Sequence, residues 1–314
     1  MSELPGSVIV VTHNSSECIT ECLRALAGSG WEIVVVDNAS HDDTVTRVKA
    51  SALNVILIEN QCNAGFAAAV NEGVRAAQAN LVLVLNPDCV ATEGALDRIA
   101  EVFADPEVVA LGGMLVGEDG KLQKGFAARR FPTLGNMLAE ILLLNRAWSS
   151  NPWNRRYRYL DMDYTKGQDV EQPAGACLAF RREIWQRVGG LDESFFPVWF
   201  EDVDFCRRIR DAGRRIIYTP DAVFTHVGGH SVGKLSYGER QMHWYRNLLH
   251  YFRKHHSALE LSLLQLGIVI GLVLRSFLAL IGVGPNGVGR WEAVRAYARV
   301  VGSAFQFWRF ESNR

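Results

Sequence analysis

Leu81-Val-Leu-Val-Leu-Asn-Pro-Asp88 is the stretch on which the fold turns. Its apolar run is continuous, which marks a strand buried on both faces rather than an alternating, half-solvated one. Pro87 cannot continue a central ladder, so the strand ends there. Asn86 and Asp88 are thereby set at the carboxyl edge of a sheet, where open α/β folds bind their ligands. A carboxylate beside an amide suits a divalent cation carrying phosphates; an Asp that follows Pro also reads as an ordinary turn residue.

Two neighbouring stretches end the same way. Glu32-Ile-Val-Val-Val-Asp37 runs into Asn38-Ala-Ser40, and Ser7-Val-Ile-Val-Val-Thr-His-Asn14 closes on polar groups. Three strand ends converging on small polar and acidic side chains predict a ligand site. Around them the β and α signals alternate. A helix with Ile19, Cys22, Leu23 and Leu26 on one face follows Ser15 and Ser16, its expected caps, and stops at Gly28. Further helices are predicted after Asp43, from Phe66 to Ala79 and from Thr92 to Phe103, with strands at 54–58 and 108–111. The order predicts an α/β class with a mostly parallel sheet and helices on both faces.

The 314 residues allow one large core plus a small appendage. The net charge of -1 conceals a division: residues 1–128 hold 7 Lys+Arg and 17 Asp+Glu, and residues 129–314 hold 26 and 17. The basic part suits an anionic partner such as phosphates, lipid headgroups or a lipid-linked diphosphate. No known nucleic-acid-binding motif occurs, so nucleic acid is not an expected partner. The six cysteines form no CxxC pair and read as buried, reduced thiols of a cytosolic protein. No signal peptide is expected at the N-terminus.

Residues 125–172 lose this regularity and read as long loops or short helices over the sheet edge, with Arg129, Arg130 and the basic-aromatic run Trp153–Tyr159. Order returns with a strand and helix in Gly175–Trp185. After the aromatic loop Phe195–Phe200, Glu201 and Asp202 open another helix. Charge there is favoured by the helix dipole. A carboxylate beside a dry aromatic wall is also placed to take a proton from a hydroxyl, and Asp202 is the expected base, with Asp204 facing elsewhere. Helix amides lower the pKa of such a group and the wall raises it.

Val10-Val-Thr-His-Asn14, Val36-Asp-Asn-Ala-Ser40, Asn63-Ala-Gly-Phe-Ala-Ala-Ala-Val-Asn-Glu-Gly73, Leu85-Asn-Pro-Asp88, Gly175 to Asp202 and His226-Val-Gly-Gly-His-Ser231 occur in this order. As an ordered set they resemble the inverting nucleotide-sugar glycosyltransferases of the GT-A fold, glycosyltransferase family 2, and most of all bacterial rhamnosyltransferases. The resemblance covers roughly residues 7–231 and implies a sugar transfer from a nucleoside-diphosphate donor (dTDP-, UDP- or GDP-linked) to a hydroxyl of a glycan or lipid-linked acceptor.

It also implies roles. Thr12, Asn14, Asp37, Asn38, Ser40, Asn63 and Gly65 would line the nucleotide-sugar site, with Gly65 allowing close approach. Asn71 and Gly73 serve helix packing. Asn86 and Asp88 stand where the family has its Asp-x-Asp metal motif, with Asn86 replacing the first acid. Asp88 and His226 would hold Mn²⁺ or Mg²⁺, and an imidazole ligand favours Mn²⁺. His230 and Ser231 could donate to the diphosphate, and Arg129 and Arg130 would help hold it. Glu201 and Asp202 would be the catalytic carboxylates, and Trp199 and Gly175 would face the acceptor.

The domain reading is 1–252 for the transferase and 253–314 for an apolar and basic helical appendage. Within residues 258–283, Leu263–Leu274 is an apolar run, Arg275-Ser276 interrupts it and Phe277–Val283 resumes it, and basic residues flank the whole. They are expected to lie on the inner face of the cell membrane, with a buried oligomer interface and a true span as the other readings. His255-His256 beside Arg253-Lys254 is expected to be an interfacial basic patch. Two other functions compete with the transferase reading: a nucleotidyltransferase, which would want a glycine-rich basic loop after the first strand, and an inactive nucleotide-sugar-binding scaffold.

Overall fold

The computed structural model describes residues 4–228 and 233–311, with side chains through Ser303; His230 and Ser231 lie outside the described residues. The chain divides into two compact units, 1–131 with 158–231 and 132–157 with 232–314. The helical unit is thus larger than a 253–314 appendage. It draws in 132–157 because the helix Leu134–Ile141 packs on the C-terminal helix Ala258–Leu280, a long-range contact that no local pattern announces.

In the first unit, the elements run β1 (Ser7–Thr12), α1 (Ile19–Leu26), β2 (Glu32–Asp37), α2 (Thr44–Ala50), β3 (Val55–Glu59), α3 (Phe66–Ala76), β4 (Leu81–Leu85), β5 (Cys89–Ala91), α4 (Ala95–Val102), β6 (Val108–Val116) and β7 (Ala128–Arg129). The second unit contributes α5 (Leu134–Ile141), α6 (Leu144–Ala147) and α7 (Pro152–Tyr157). The first resumes with β8 (Gln168–Asp169), β9 (Gln172–Pro173), β10 (Cys177–Arg181), α8 (Arg182–Val188), α9 (Glu201–Asp211) and β11 (Arg215–His226). The chain closes in the second with α10 (Tyr237–His255), α11 (Ala258–Leu280) and α12 (Arg290–Glu311).

The main sheet has the order β3-β2-β1-β4-β10-β6-β11-β5, with β8 also paired to β11, and β7 pairs with β9 as a separate ribbon. β1 to β4 pair in parallel, as do β6 and β11, while β10 runs antiparallel between β4 and β6. The sheet is therefore mixed and mostly parallel. β1 is buried throughout and β2 and β4 are buried after their first residue, and their cores are Val/Ile/Leu runs, as two-sided burial demands. Gly73 lets α3 settle on the sheet, since a Cβ there would lie 2.4 Å from Ile9 Cγ2.

Ser15 does not cap α1. Its N–H donates to Thr44 Oγ1 and its hydroxyl accepts from the His13 N–H, so the serine joins the β1 turn to α2 instead. Asn71 makes full use of its amide. Nδ2 donates to the Leu191 carbonyl and Glu193, and Oδ1 accepts from Trp185 Nε1 and the Leu191 N–H, tying α3 to the segment after α8. This agrees with a packing role.

In the helical unit, Thr133/Asn136, Ser236/Glu239 and Ser257/Glu260 form reciprocal capping boxes at the starts of α5, α10 and α11. α11 runs unbroken through Arg275, whose Nη2 donates to the Glu140 carbonyl at 2.9 Å. His256 stacks on Phe252 with ring centroids 4.1 Å apart and contacts Glu260 and the Pro132 carbonyl. It is a joint between helices as well as a neighbour of the basic pair.

Candidate active site

The sheet register builds the site. Thr12 lies opposite Asp37 across β1 and β2, and Thr12 Oγ1 donates to Asp37 Oδ1 at 2.7 Å. Ser40 donates to the same carboxylate through its N–H and its hydroxyl. Asn14, in the left-handed region at φ 54, donates its N–H to Ser40 Oγ and accepts from the His41 N–H. Asn38 donates to the Gly65 carbonyl at 3.1 Å and accepts from Asn60, and Asn63 accepts from the Gly65 N–H. The residues expected at the nucleotide thus form one knot at the ends of β1 and β2. Both oxygens of Asp37 are engaged inside it.

Gly65 has φ 88, and a Cβ there would lie 2.9 Å from the Phe196 ring. The close approach at this glycine is made by the aromatic loop, whose Pro197 carbonyl accepts the Phe66 N–H. That loop ends with Trp199 and Phe200 both left-handed, at φ 81 and 75, immediately before Glu201. Such backbone is uncommon for bulky residues and clusters at functional sites.

A second register match sets His226 opposite Cys89 across β11 and β5. His226 Nε2 then stands 3.7 Å from Asp88 Oδ1, with both residues 4% exposed. This is too long for a hydrogen bond and within the span of one ion bonded at about 2.1 Å to each ligand. Gln123 holds the imidazole twice: its Oε1 lies 2.8 Å from Nδ1, and its Nε2 donates to the His226 carbonyl at 2.8 Å. An amide oxygen only accepts, so Nδ1 carries the proton and Nε2 turns its lone pair toward Asp88. Phe126 stacks on the ring at 4.9 Å. Burial lowers the His226 pKa against the opposing pull of Asp88, and this lowering favours the neutral ligand form. Cys89 adds a sulfur within 4.8 Å of both ligand atoms, but it donates to the Ala176 carbonyl and burial holds it as a thiol. Asp88 and His226 fit a divalent cation; a thiol does not complete the set.

The third group surrounds Asp202. Its Oδ2 accepts from the Gly175 N–H at 2.9 Å and from Gln172 Nε2 at 3.1 Å, and Oδ1 accepts from the Val203 N–H. Burial raises its pKa against these donors and against Arg129. Glu201 is buried, its Oε2 finds no partner among the described residues, and burial with the adjacent Asp202 pushes its pKa well up. Asp204 faces elsewhere, paired with Arg208 at 2.8 Å. Arg129 lies opposite Gln172 in the β7–β9 ribbon and donates to the Gly125 carbonyl. Arg130 rests over the Tyr159 ring and 4.0 Å from Glu171.

One short segment joins the second and third groups. The Ala176 carbonyl accepts the Asn86 N–H and the Cys89 thiol, while the adjacent Gly175 N–H holds Asp202. Gln123, Gln172 and Phe126 were not singled out from sequence. Gln172 had a cue in its place three residues before Gly175. Gln123 had none, being 103 residues from the histidine it holds.

The model for "Glycosyl transferase family 2" matches residues 7–189, and that for "Glycosyl transferase family 21" matches residues 165–302. The N-acetylglucosaminyl-diphospho-decaprenol L-rhamnosyltransferase of Mycobacterium tuberculosis is 30% identical over 244 residues, covering 72% of this chain and 77% of that protein. Rhamnosyltransferase WbbL of Escherichia coli K12 is 25% identical over 162 residues, 51% of this chain and 57% of that protein. Among solved structures, the mannosyltransferase PcManGT from Pyrobaculum calidifontis, in complex with GDP-Man and Mn²⁺, shares the fold at TM-score 0.56 and 20% identity, over 96% of this chain and 87% of that one. With a sheet of the GT-A kind and a family match over more than half its length, the chain belongs to glycosyl transferase family 2 and is a glycosyltransferase.

Proposed function

We propose that this glycosyltransferase moves a rhamnosyl group from a nucleoside-diphosphate sugar to a hydroxyl of a lipid-linked or glycan acceptor, with inversion at the anomeric carbon. The rhamnosyl choice is supported by the names of the two rhamnosyltransferase relatives, and the lipid-linked acceptor by that of the mycobacterial one. The observation that carries the chemistry is the fixed Asp202 carboxylate, held by the Gly175 N–H while the next residue, Ala176, accepts the Asn86 N–H two residues before Asp88.

In this reading the knot of Thr12, Asn14, Asp37, Asn38, Ser40, Asn63 and Gly65 orients the nucleotide. Asn86, Arg129 and Arg130 lie toward the diphosphate. Asp88 and His226 hold a divalent cation, Mn²⁺ suiting the imidazole better than Mg²⁺. When bound, that ion supplies positive charge to the departing nucleoside diphosphate. Asp202 accepts the proton of the acceptor hydroxyl as its oxygen bonds to the anomeric carbon and the bond to the diphosphate breaks. Gly175 and Gln172 keep the carboxylate in place, and Trp199 and Gly175 border the acceptor. Burial and the adjacent Asp202 raise the Glu201 pKa, which disfavours a second charge beside the base. Six free cysteines, five of them buried, support a cytoplasmic setting.

The test is a thermal-shift panel of dTDP, UDP, GDP and their sugars, each with and without Mn²⁺ or Mg²⁺, followed by transfer to lipid-linked acceptors with the product anomer read by NMR. Ligands that bind the folded state raise the melting temperature. A metal-dependent shift with one nucleotide and an inverted product supports the reading. A folded protein that answers to no nucleotide overturns it, as does an Asp202→Asn enzyme turning over at the wild-type rate.

A further inference from the structure

Among the described residues, a long apolar face of the helical unit has no partner. Along α11, Leu259, Leu263, Leu266, Ile270, Val273 and Phe277 are exposed, the last four more than half. Their steps of three and four residues place them on one side of the helix, which at 23 residues is about 35 Å long. The opposite side is used inside the unit. Leu261, Leu264, Ile268 and Leu272 are buried, and Gly267 and Gly271 bring the backbone against α5, where a Cβ would lie 2.1 Å from Leu138 and 2.6 Å from Ile141. Arg275 is the one charged residue between Leu261 and Gly289, and it turns inward to the Glu140 carbonyl. From Leu263 onward the outward face therefore carries no charge, and Glu260 in the first turn is engaged by the Ser257 cap and His256.

We infer that this face docks on an anionic lipid bilayer, with α11 lying in the plane of the interface. Cations outnumber acids at both ends of the apolar stripe: Arg253 and Lys254 are exposed in the last turn of α10 against Glu260, and Arg290 is exposed beside Trp291, with Arg295 and Arg299 following, against Glu292. The unit as a whole holds 14 Lys+Arg against 5 Asp+Glu. An uncharged apolar face framed by basic residues matches an acidic headgroup layer over an acyl interior. A second copy on the same face would set two strongly basic units against each other. A span would strip the packing on α5 and carry Arg275 into hydrocarbon.

The test is co-sedimentation of the full chain with phosphatidylcholine vesicles, with and without phosphatidylglycerol. It needs no donor or acceptor, so its failure leaves the transferase reading standing. Wild type should sediment with the acidic vesicles roughly tenfold more strongly than with neutral ones. Leu266→Asp/Ile270→Asp should lose binding to both while keeping the wild-type circular dichroism spectrum. Arg253→Glu/Lys254→Glu, at exposed positions that leave the helix packing intact, should lose the preference for acidic lipid. Wild type staying in the supernatant, or both variants binding like wild type, overturns the inference. So does a lipid-free dimer that Leu266→Asp/Ile270→Asp converts to a monomer.

Discussion

The Gly175 N–H donates to Asp202 Oδ2 at 2.9 Å, and a Cβ on residue 175 would lie 2.9 Å from that same oxygen. The hydrogen bond and the missing side chain are one device: backbone reaches the carboxylate where any side chain would push it away. Gly175→Ala should displace Asp202 and lower kcat/KM by about 100-fold, the scale for a small misplacement of a reacting group. Kinetics beside a thermal melt would check this, since a general loss of fold would lower the melting temperature in proportion and a displaced base would not.

Asp202 has its pKa raised by burial above the ordinary aspartate value of 3.8. As the base it works ionised, so kcat/KM should fall on the acid side with an apparent pKa above that value. Asp202→Asn should abolish this limb and cost about 10²- to 10⁴-fold in rate. A pH–rate profile of both proteins decides it; an unchanged acid limb in the variant would assign it to another group.

Glu201 is buried with its pKa well above the ordinary 4.5. Folded protein then keeps a proton that the unfolded chain releases, so this group's contribution declines as pH rises from 4.5 toward the folded value. Glu201→Gln removes the ionisable group. Its stability relative to wild type should therefore grow with pH across that window, measured by urea denaturation at several pH values. A constant difference would show that Glu201 does not change protonation on folding.

Gln123 acts through His226. Gln123→Leu removes both the acceptor for Nδ1 and the donor to the His226 carbonyl. Mn²⁺ affinity, read by the EPR signal of free Mn²⁺ in the absence of nucleotide, should weaken about 10- to 100-fold, as for other outer partners of ligating histidines. His226→Ala is the reference for complete loss of the ligand. An unchanged Mn²⁺ isotherm in Gln123→Leu would leave the glutamine with a packing role alone.

Local chemistry along the chain was enough to read the sheet strands that end at Thr12, Asp37 and Leu85, because two-sided burial demands unbroken Val/Ile/Leu runs, and Pro87 stops the last of them just before Asp88. The same holds for α9 opening on Glu201-Asp202, and for Asp204 turning away, because helical spacing sets which residues share a face. Tertiary structure alone decided the pairings. Sheet order brought His226 to Asp88 from 138 residues away, and Gln123 to His226 from 103. It turned Gly65 toward the Phe196 loop and folded 132–157 into the helical unit. It also settled the direction of Arg275, which composition left pointing anywhere around an apolar helix and which the Glu140 carbonyl draws inward. Periodicity records which face of an element is buried; what it is buried against depends on contacts distant in sequence, and those exist only in the folded chain.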